Sequence, residues 1–136
     1  MKGSIALTAL IAAAPLEMAN TPADDGTGAI IIYRGGSIMG AAVACPVRYK
    51  GREIVELARG KKAKFVVPPG RYILNNKTSS IEVSVDAGET RYIRCMVKSG
   101  FLSGRADLQI VDEESYLPIR DTLEPVAPAE PLEVNQ

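Results

Sequence analysis

Histidine and tryptophan are both absent from this 136-residue chain. With them go the commonest general base, the commonest metal ligand and the strongest cation–π platform. Aromatic residues make up only 5%, too few for a stacking surface that binds single-stranded nucleic acid. The one extended apolar segment near the amino terminus, Ile5 to Ala14, is well short of the ~20 residues a helix needs to cross a bilayer. Cysteine occurs twice, as Cys45 and Cys95, and neither has a histidine to activate it as a nucleophile. These deficits lead to an expectation of no catalytic set, no metal, no cofactor, no nucleic-acid partner and no transmembrane anchor.

What is present is enough apolar material, 46%, for one domain with a modest core. The formal net charge of +0 hides a division. Residues 28–111 carry 14 Lys and Arg against 6 acids, a net of +8. Residues 112–136 carry one Arg against seven acids, a net of −6. A basic body thus bears an acidic tail, and covering of one by the other is one reading of the division.

The amino terminus, "MKGSIALTALIAAAPLEMANTPADD", places a lysine before an apolar Ala-rich run and then small and polar residues, the order of a secretory signal peptide. Cleavage is expected between Ala19 and Ala23, so residues 1–23 are assigned to the signal and 24–27 to a linker. The other reading is an uncleaved N-terminal helix. No cysteine stands here for lipid attachment, so the exported product is expected to be periplasmic or secreted.

The body reads as strands. "GAIIIYR" is a β-branched run followed by the Gly-rich "GGSIMG". "AVACPVRYK" alternates, with Val43, Cys45, Val47 and Tyr49 on one face. Pro46 cannot donate to a ladder, which predicts an edge strand or a bulge. "KGR" turns into "EIVEL", and "KKAKFVV" runs into Pro68-Pro69-Gly70. The two prolines fix φ and Gly70 can take a positive one, so this stiff turn is expected to reverse the chain into "RYILNN" and fix its register. Ile81, Val83 and Val85 share a face, as do Arg91, Ile93, Cys95 and Val97, on strands flanking Asp86 to Glu89. "SGFLSG" leads to a last strand, "ADLQIV". Beyond Asp112 the pattern stops, and Pro125, Pro128 and Pro131 among acids favour extended or disordered chain. The expectation is an all-β, antiparallel β-sandwich of about seven strands over residues 28–111, with a disordered Pro-rich acidic tail over 112–136.

The order of these features, Tyr33-Arg34, a Gly-rich loop, Lys50-Gly51-Arg52, Pro68-Pro69-Gly70, Ala87-Gly88 before Tyr92, Gly100-Phe101, Gly104-Arg105 and Asp112-Glu113, resembles the bacterial family called "domain of unknown function 2846". The resemblance spans roughly residues 28–114. It implies a small exported domain, often a lipoprotein, with a sandwich like the transthyretin-like and carboxypeptidase regulatory-like modules. Gly35 stands where the family usually has proline. The resemblance brings no activity and no catalytic residue.

Few constellations carry chemistry. Cys45 and Cys95 both fall on inward faces, as a disulfide across the core or as two separate buried thiols. Strict alternation puts Glu53 and Glu56 on opposite faces, and Asp112 to Glu114 lack the spacing of a calcium loop. Arg34, Phe101, Leu102 and Arg105 flank or form the Gly-rich loops, as contact residues for a partner or as cover for the sandwich end. The leading expectation is an exported, non-enzymatic cell-envelope module that binds a protein partner or is structural. The alternative is a basic domain for anionic envelope polymers or lipids.

Overall fold

Alternating apolar side chains give each strand one inward face, and the computed structural model, which describes residues 26–36, 43–99, 104–128 and 132, shows how those faces meet. The strands are β1 (Gly28–Tyr33), β2 (Cys45–Tyr49), β3 (Arg52–Leu57), β4 (Lys61–Val67), β5 (Gly70–Asn75), β6 (Ser80–Val85), β7 (Thr90–Ser99), β8 (Gly104–Val111) and the short β9 (Glu124–Pro125). They form a five-stranded sheet, β8-β7-β1-β4-β9, and a four-stranded sheet, β3-β2-β5-β6. The expected sandwich is therefore present. Most pairings are antiparallel, but β1 runs parallel to β7 and β4 parallel to β9.

Between the sheets lies one core, in which Ile30, Ile32, Val47, Leu57, Tyr72, Leu74, Val83 and Ile93 are fully enclosed. Cys45 on β2 and Cys95 on β7 are bonded to each other through this core, so the bridge ties one sheet to the other. Gly28 is where the sheets come closest to the turn after β6. A Cβ there would meet the Val85 side chain, the Asp86 carbonyl at 2.6 Å and the Glu89 carbonyl at 2.8 Å.

The Pro68-Pro69-Gly70 stretch does not close a hairpin. β4 belongs to the five-stranded sheet and β5 to the four-stranded one, so the prolines carry the chain across the sandwich. The positive φ expected at Gly70 is likewise not found: the left-handed glycines among the described residues are Gly26, Gly51, Gly60 and Gly88, and Gly70 pairs with Val85 as the first residue of β5. Lacking N–H groups, the prolines suit a segment that leaves a ladder. The buried Tyr72 hydroxyl donates to the Pro68 carbonyl, fixing the crossing as a tyrosine corner does.

Near Pro46 the expected bulge occurs, and the edge-strand alternative does not. The β2–β3 register shifts between Val47 and Arg48, a bulge that turns Ile54 and Val55 both inward. It breaks the alternation on β3, and Glu53 and Glu56 are both exposed. β2 lies inside its sheet, yet its pairing with β5 is limited to Arg48 and Tyr49. Among the described residues, the Pro46 half of the strand therefore has a partner only on the β3 side.

The tail corrects the expectation of disorder as far as Pro128. Asp112 caps the helix α1 (Glu113–Tyr116), its Oδ1 accepting from the Ser115 N–H at 2.9 Å, and Glu113 and Glu114 occupy the first turn, where acids are favoured. A 3₁₀ segment, Leu117–Thr122, follows with Pro118 in its first turn, where the missing N–H costs nothing. Tyr116 stacks on Tyr92 at 4.9 Å and meets Tyr33 edge-on at 5.1 Å. β9 then pairs with Lys61 and Lys62 of β4, Glu124 bonds to the Lys61 ammonium, and Leu132 is buried in the main core. Burying Tyr116, Leu123 and Leu132 is worth about 5–8 kcal/mol at ordinary transfer values, enough to offset the ordering of a short strap. Pro125 leaves the outer side of β9 poor in donors, which blunts that sheet edge.

Candidate binding groove

The local polarity of "NNKTSS" favours side chain to backbone bonds over a ladder, and the β5–β6 connection uses them. Asn76 Oδ1 accepts from the N–H groups of Thr78 at 2.9 Å and Ser79 at 2.8 Å. The same turn grips β8 in the opposite sheet. Asn76 Nδ2 donates to the Ala106 carbonyl at 2.7 Å, Thr78 Oγ1 donates to it at 2.6 Å, and the Leu108 N–H donates to Ser79 Oγ at 2.8 Å. The edge of β8 is thereby covered, and the turn becomes a fixed wall.

Opposite that wall stands the half of β2 that β5 leaves unpaired. Between them opens a groove of about 290 Å³, with Val43, Ala44 and Pro46 as its apolar side and Lys77 and Arg105 on the other. Glu56, across from Pro46 on β3, supplies a carboxylate to the lining. Arg105 makes one loose ion pair, 3.4 Å to Asp107 Oδ2, and its side chain is 58% exposed. Glu56 and Lys77 have no protein partner among the described residues. The groove therefore offers charges of both signs on a rigid frame.

Of the residues singled out from sequence, Arg105 lies at this groove. Arg34 does not present itself as a contact residue: it is 3% exposed, and its guanidinium donates to the Val43 carbonyl and, at 3.2 Å, to that of Leu57. Burial, and secondarily Arg59, holds its pKa below the usual arginine value. Arg34 thus fixes Val43 from behind. Phe101 and Leu102 lie outside the described residues, as do the "GGSIMG" residues 37–40 and the proposed signal segment 1–23. Cys45, Cys95 and the Pro68, Pro69, Gly70 crossing are framework, with Cys45 adjoining the groove residues Ala44 and Pro46. Sequence reasoning missed Asn76, Lys77 and Thr78, although the run of Asn, Thr and Ser was a sufficient turn signal.

A second, shallower cleft of about 610 Å³ lies where β7 outruns β8, bordered by Glu89, Thr90, Arg91, Asp112 and Glu113. Its polar groups are mostly spent internally. Arg91 donates to the Ser84 carbonyl at 2.8 Å, Glu89 accepts from the Asp86 N–H at 2.9 Å, Asp112 caps α1, and Tyr92 donates to Glu113 at 3.1 Å. The tyrosine cluster Tyr33, Tyr92 and Tyr116 is buried beside it. Burial raises the pKa of Tyr33 and Tyr92, the latter also through Glu113. The Tyr33 hydroxyl is enclosed without a hydrogen-bond partner. Among the described residues, no three His, Cys, Asp or Glu gather as metal ligands, and no helix is long and apolar enough to cross a membrane.

A family model described as "Protein of unknown function (DUF2846)" matches residues 24–106. All the groove residues fall inside that span, whereas α1, the 3₁₀ segment and β9 follow it. No curated protein and no solved structure matches the chain.

Proposed function

The chain belongs to the DUF2846 family of proteins of unknown function, and from that premise we propose that it is an exported, non-enzymatic binding module of the cell envelope that docks a protein partner in the groove between β2 and the Asn76–Ser79 turn. The observation that carries this reading is the groove in which Glu56 and Lys77 have no protein partner among the described residues, since charge that no internal partner neutralises is available to a complementary surface. The buried Cys45–Cys95 bridge fits an oxidising compartment, and the order of residues 1–23 fits export to one. A reading in which the basic body takes anionic polymers has less support. The acidic tail already lies against its five-stranded sheet, where Glu124 meets Lys61 and the Arg120 carbonyl accepts from Lys62 at 3.0 Å.

The test combines location and contact. In an exporting bacterium, intact mass should show loss of the N-terminal segment and two thiols that appear only after reduction. A photo-crosslinking residue at Lys77 should give a discrete adduct that one at Glu82, on the outer face of β6, does not. An uncleaved chain with two free thiols would refute export, and equal adducts at both positions would refute docking at the groove.

A further inference from the structure

The groove has a size and a charge pattern that select among partners. At about 290 Å³ and open to solvent, the groove lies at the small end of ligand clefts. It is too small for a folded surface and suits the end of a chain. Beside it, Cys45 to Val47 of β2 pair with no strand on the β5 side among the described residues, a stretch of main chain available to an extended segment. The wall formed by Lys77 and Arg105 is cationic, and Glu56 stands across Pro46 from it.

We infer that the groove binds the carboxyl-terminal end of a partner polypeptide whose penultimate residue is basic. The terminal carboxylate would lie against Lys77 and Arg105, the penultimate ammonium or guanidinium against Glu56, and the backbone beside the unpaired half of β2. Charge complementarity selects this occupant. An anionic polymer would meet the Glu56 carboxylate, and an internal segment would need an Asp or Glu side chain at the place where a chain end brings a carboxylate on its own backbone, beside the unpaired half of β2. A single-chain end satisfies both. Asp107, 3.1 Å from Thr78 Oγ1 and 3.4 Å from the Arg105 guanidinium, takes part of the Arg105 charge and leaves Lys77 as the main cation for the ligand. This inference rests on the binding-module reading and names its ligand chemistry.

The test uses the purified, disulfide-bonded chain and the peptide acetyl-Ala-Ala-Lys-Ala with a free carboxylate, titrated while backbone amide resonances are followed. Saturable shifts confined to Ala44, Glu56, Asn76 to Thr78 and Arg105 to Ala106 are expected. Amidating the carboxyl terminus should weaken binding about fivefold, the scale of one partly exposed ion pair. Glu56→Gln should weaken the lysine peptide by a similar factor and leave acetyl-Ala-Ala-Ala-Ala unaffected, a coupling that a general loss of fold would not produce. Both Glu56 and Lys77 are exposed, so Glu56→Gln and Lys77→Gln leave the core intact. Equal affinity for the amidated peptide, shifts elsewhere, or no saturation at millimolar peptide would overturn the inference. So would shifts at Lys77 and Arg105 with dextran sulfate but not with the peptide. Because the titration is done on pure protein, it can fail while the crosslinking and export tests succeed, and the reverse.

Discussion

Reduction of the Cys45–Cys95 bridge isolates one term in the stability of this sandwich. The two cysteines are 50 positions apart, and closing a loop of that length in the unfolded chain corresponds to about 4 kcal/mol in the chain-entropy account. The thiols left after reduction remain buried, at 0% and 2% exposure, and keep nearly the same volume. No cavity is created, so the loss is almost entirely the cross-link's. Against a total stability of about 5–15 kcal/mol, the reduced protein should lose about a quarter or more. That lowers Tm by roughly 12–20 °C for a domain of this size. Urea unfolding with and without reductant measures it, and the slope of the transition should rise on reduction because the freed unfolded chain exposes more surface. Since both sulfurs are enclosed, reduction under native conditions should also be slow and accelerate with urea in step with unfolding. A midpoint shift worth under about 1 kcal/mol, or immediate reduction of the folded protein, would refute the account of a core bridge tying the two sheets.

Gly28→Ala should destabilise by about 2–4 kcal/mol, because two of the three atoms its Cβ meets are backbone carbonyls. Gly35→Ala, which meets nothing within 4 Å, should fall within about 0.5 kcal/mol; equal effects in thermal melts would contradict the packing at Gly28. Tyr33→Phe, which removes a hydroxyl with no partner, should be neutral or stabilise by up to about 1 kcal/mol, while Tyr72→Phe, which removes the bond to Pro68, should cost about 1 kcal/mol. The reverse ranking would refute both assignments. Burial, with a smaller contribution from Tyr49, pushes the Tyr72 hydroxyl up to about 12 from 10.0, and Tyr33 and Tyr92 move in the same direction. A raised pKa means that the folded state holds these protons more tightly. The Tyr72 contribution is complete below about pH 10 and is lost as pH rises through about 12, and those of Tyr33 and Tyr92 are lost in the same direction. Tyrosinate absorbance should therefore appear late and coincide with unfolding, and a urea midpoint unchanged across that window would count against it.

Local chemistry settled the inward faces. Alternation put Val43, Cys45 and Val47 on one side of β2 and Ile93 and Cys95 on one side of β7, and those residues point into the core or pack against it, because a strand's side chains alternate whatever it pairs with. The glycine, proline and asparagine signals likewise marked where strands end. They could not say which sheet comes next. Pro68-Pro69-Gly70 and Asp86 to Glu89 look like hairpin turns but carry the chain between sheets, and the parallel pairing of β1 with β7 joins residues about 60 positions apart. The tail was misread for a related reason. Acids and prolines lower the average hydrophobicity that signals order, yet Tyr116 and Leu123 seat the tail once the outer face of the five-stranded sheet exists to receive them, and Leu132 once the main core does.

The groove belongs wholly to this second kind of information. Its walls come from β2, β3, the Asn76–Ser79 turn and β8, and the bond from Asn76 to Ala106 spans 30 positions. Arg34, which reads as a loop contact, is drawn inside because the carbonyls of Val43 and Leu57 converge on it only after both sheets have formed. The sequence by itself determined an all-β chain with a basic body, inward cysteines and stiff strand ends, since periodicity, φ restriction and charge are properties of short stretches. Tertiary structure alone decided the pairing of the sheets, the closing of the bridge and the gathering of Glu56, Lys77 and Arg105 at one groove, since each of these depends on contacts between residues far apart along the chain.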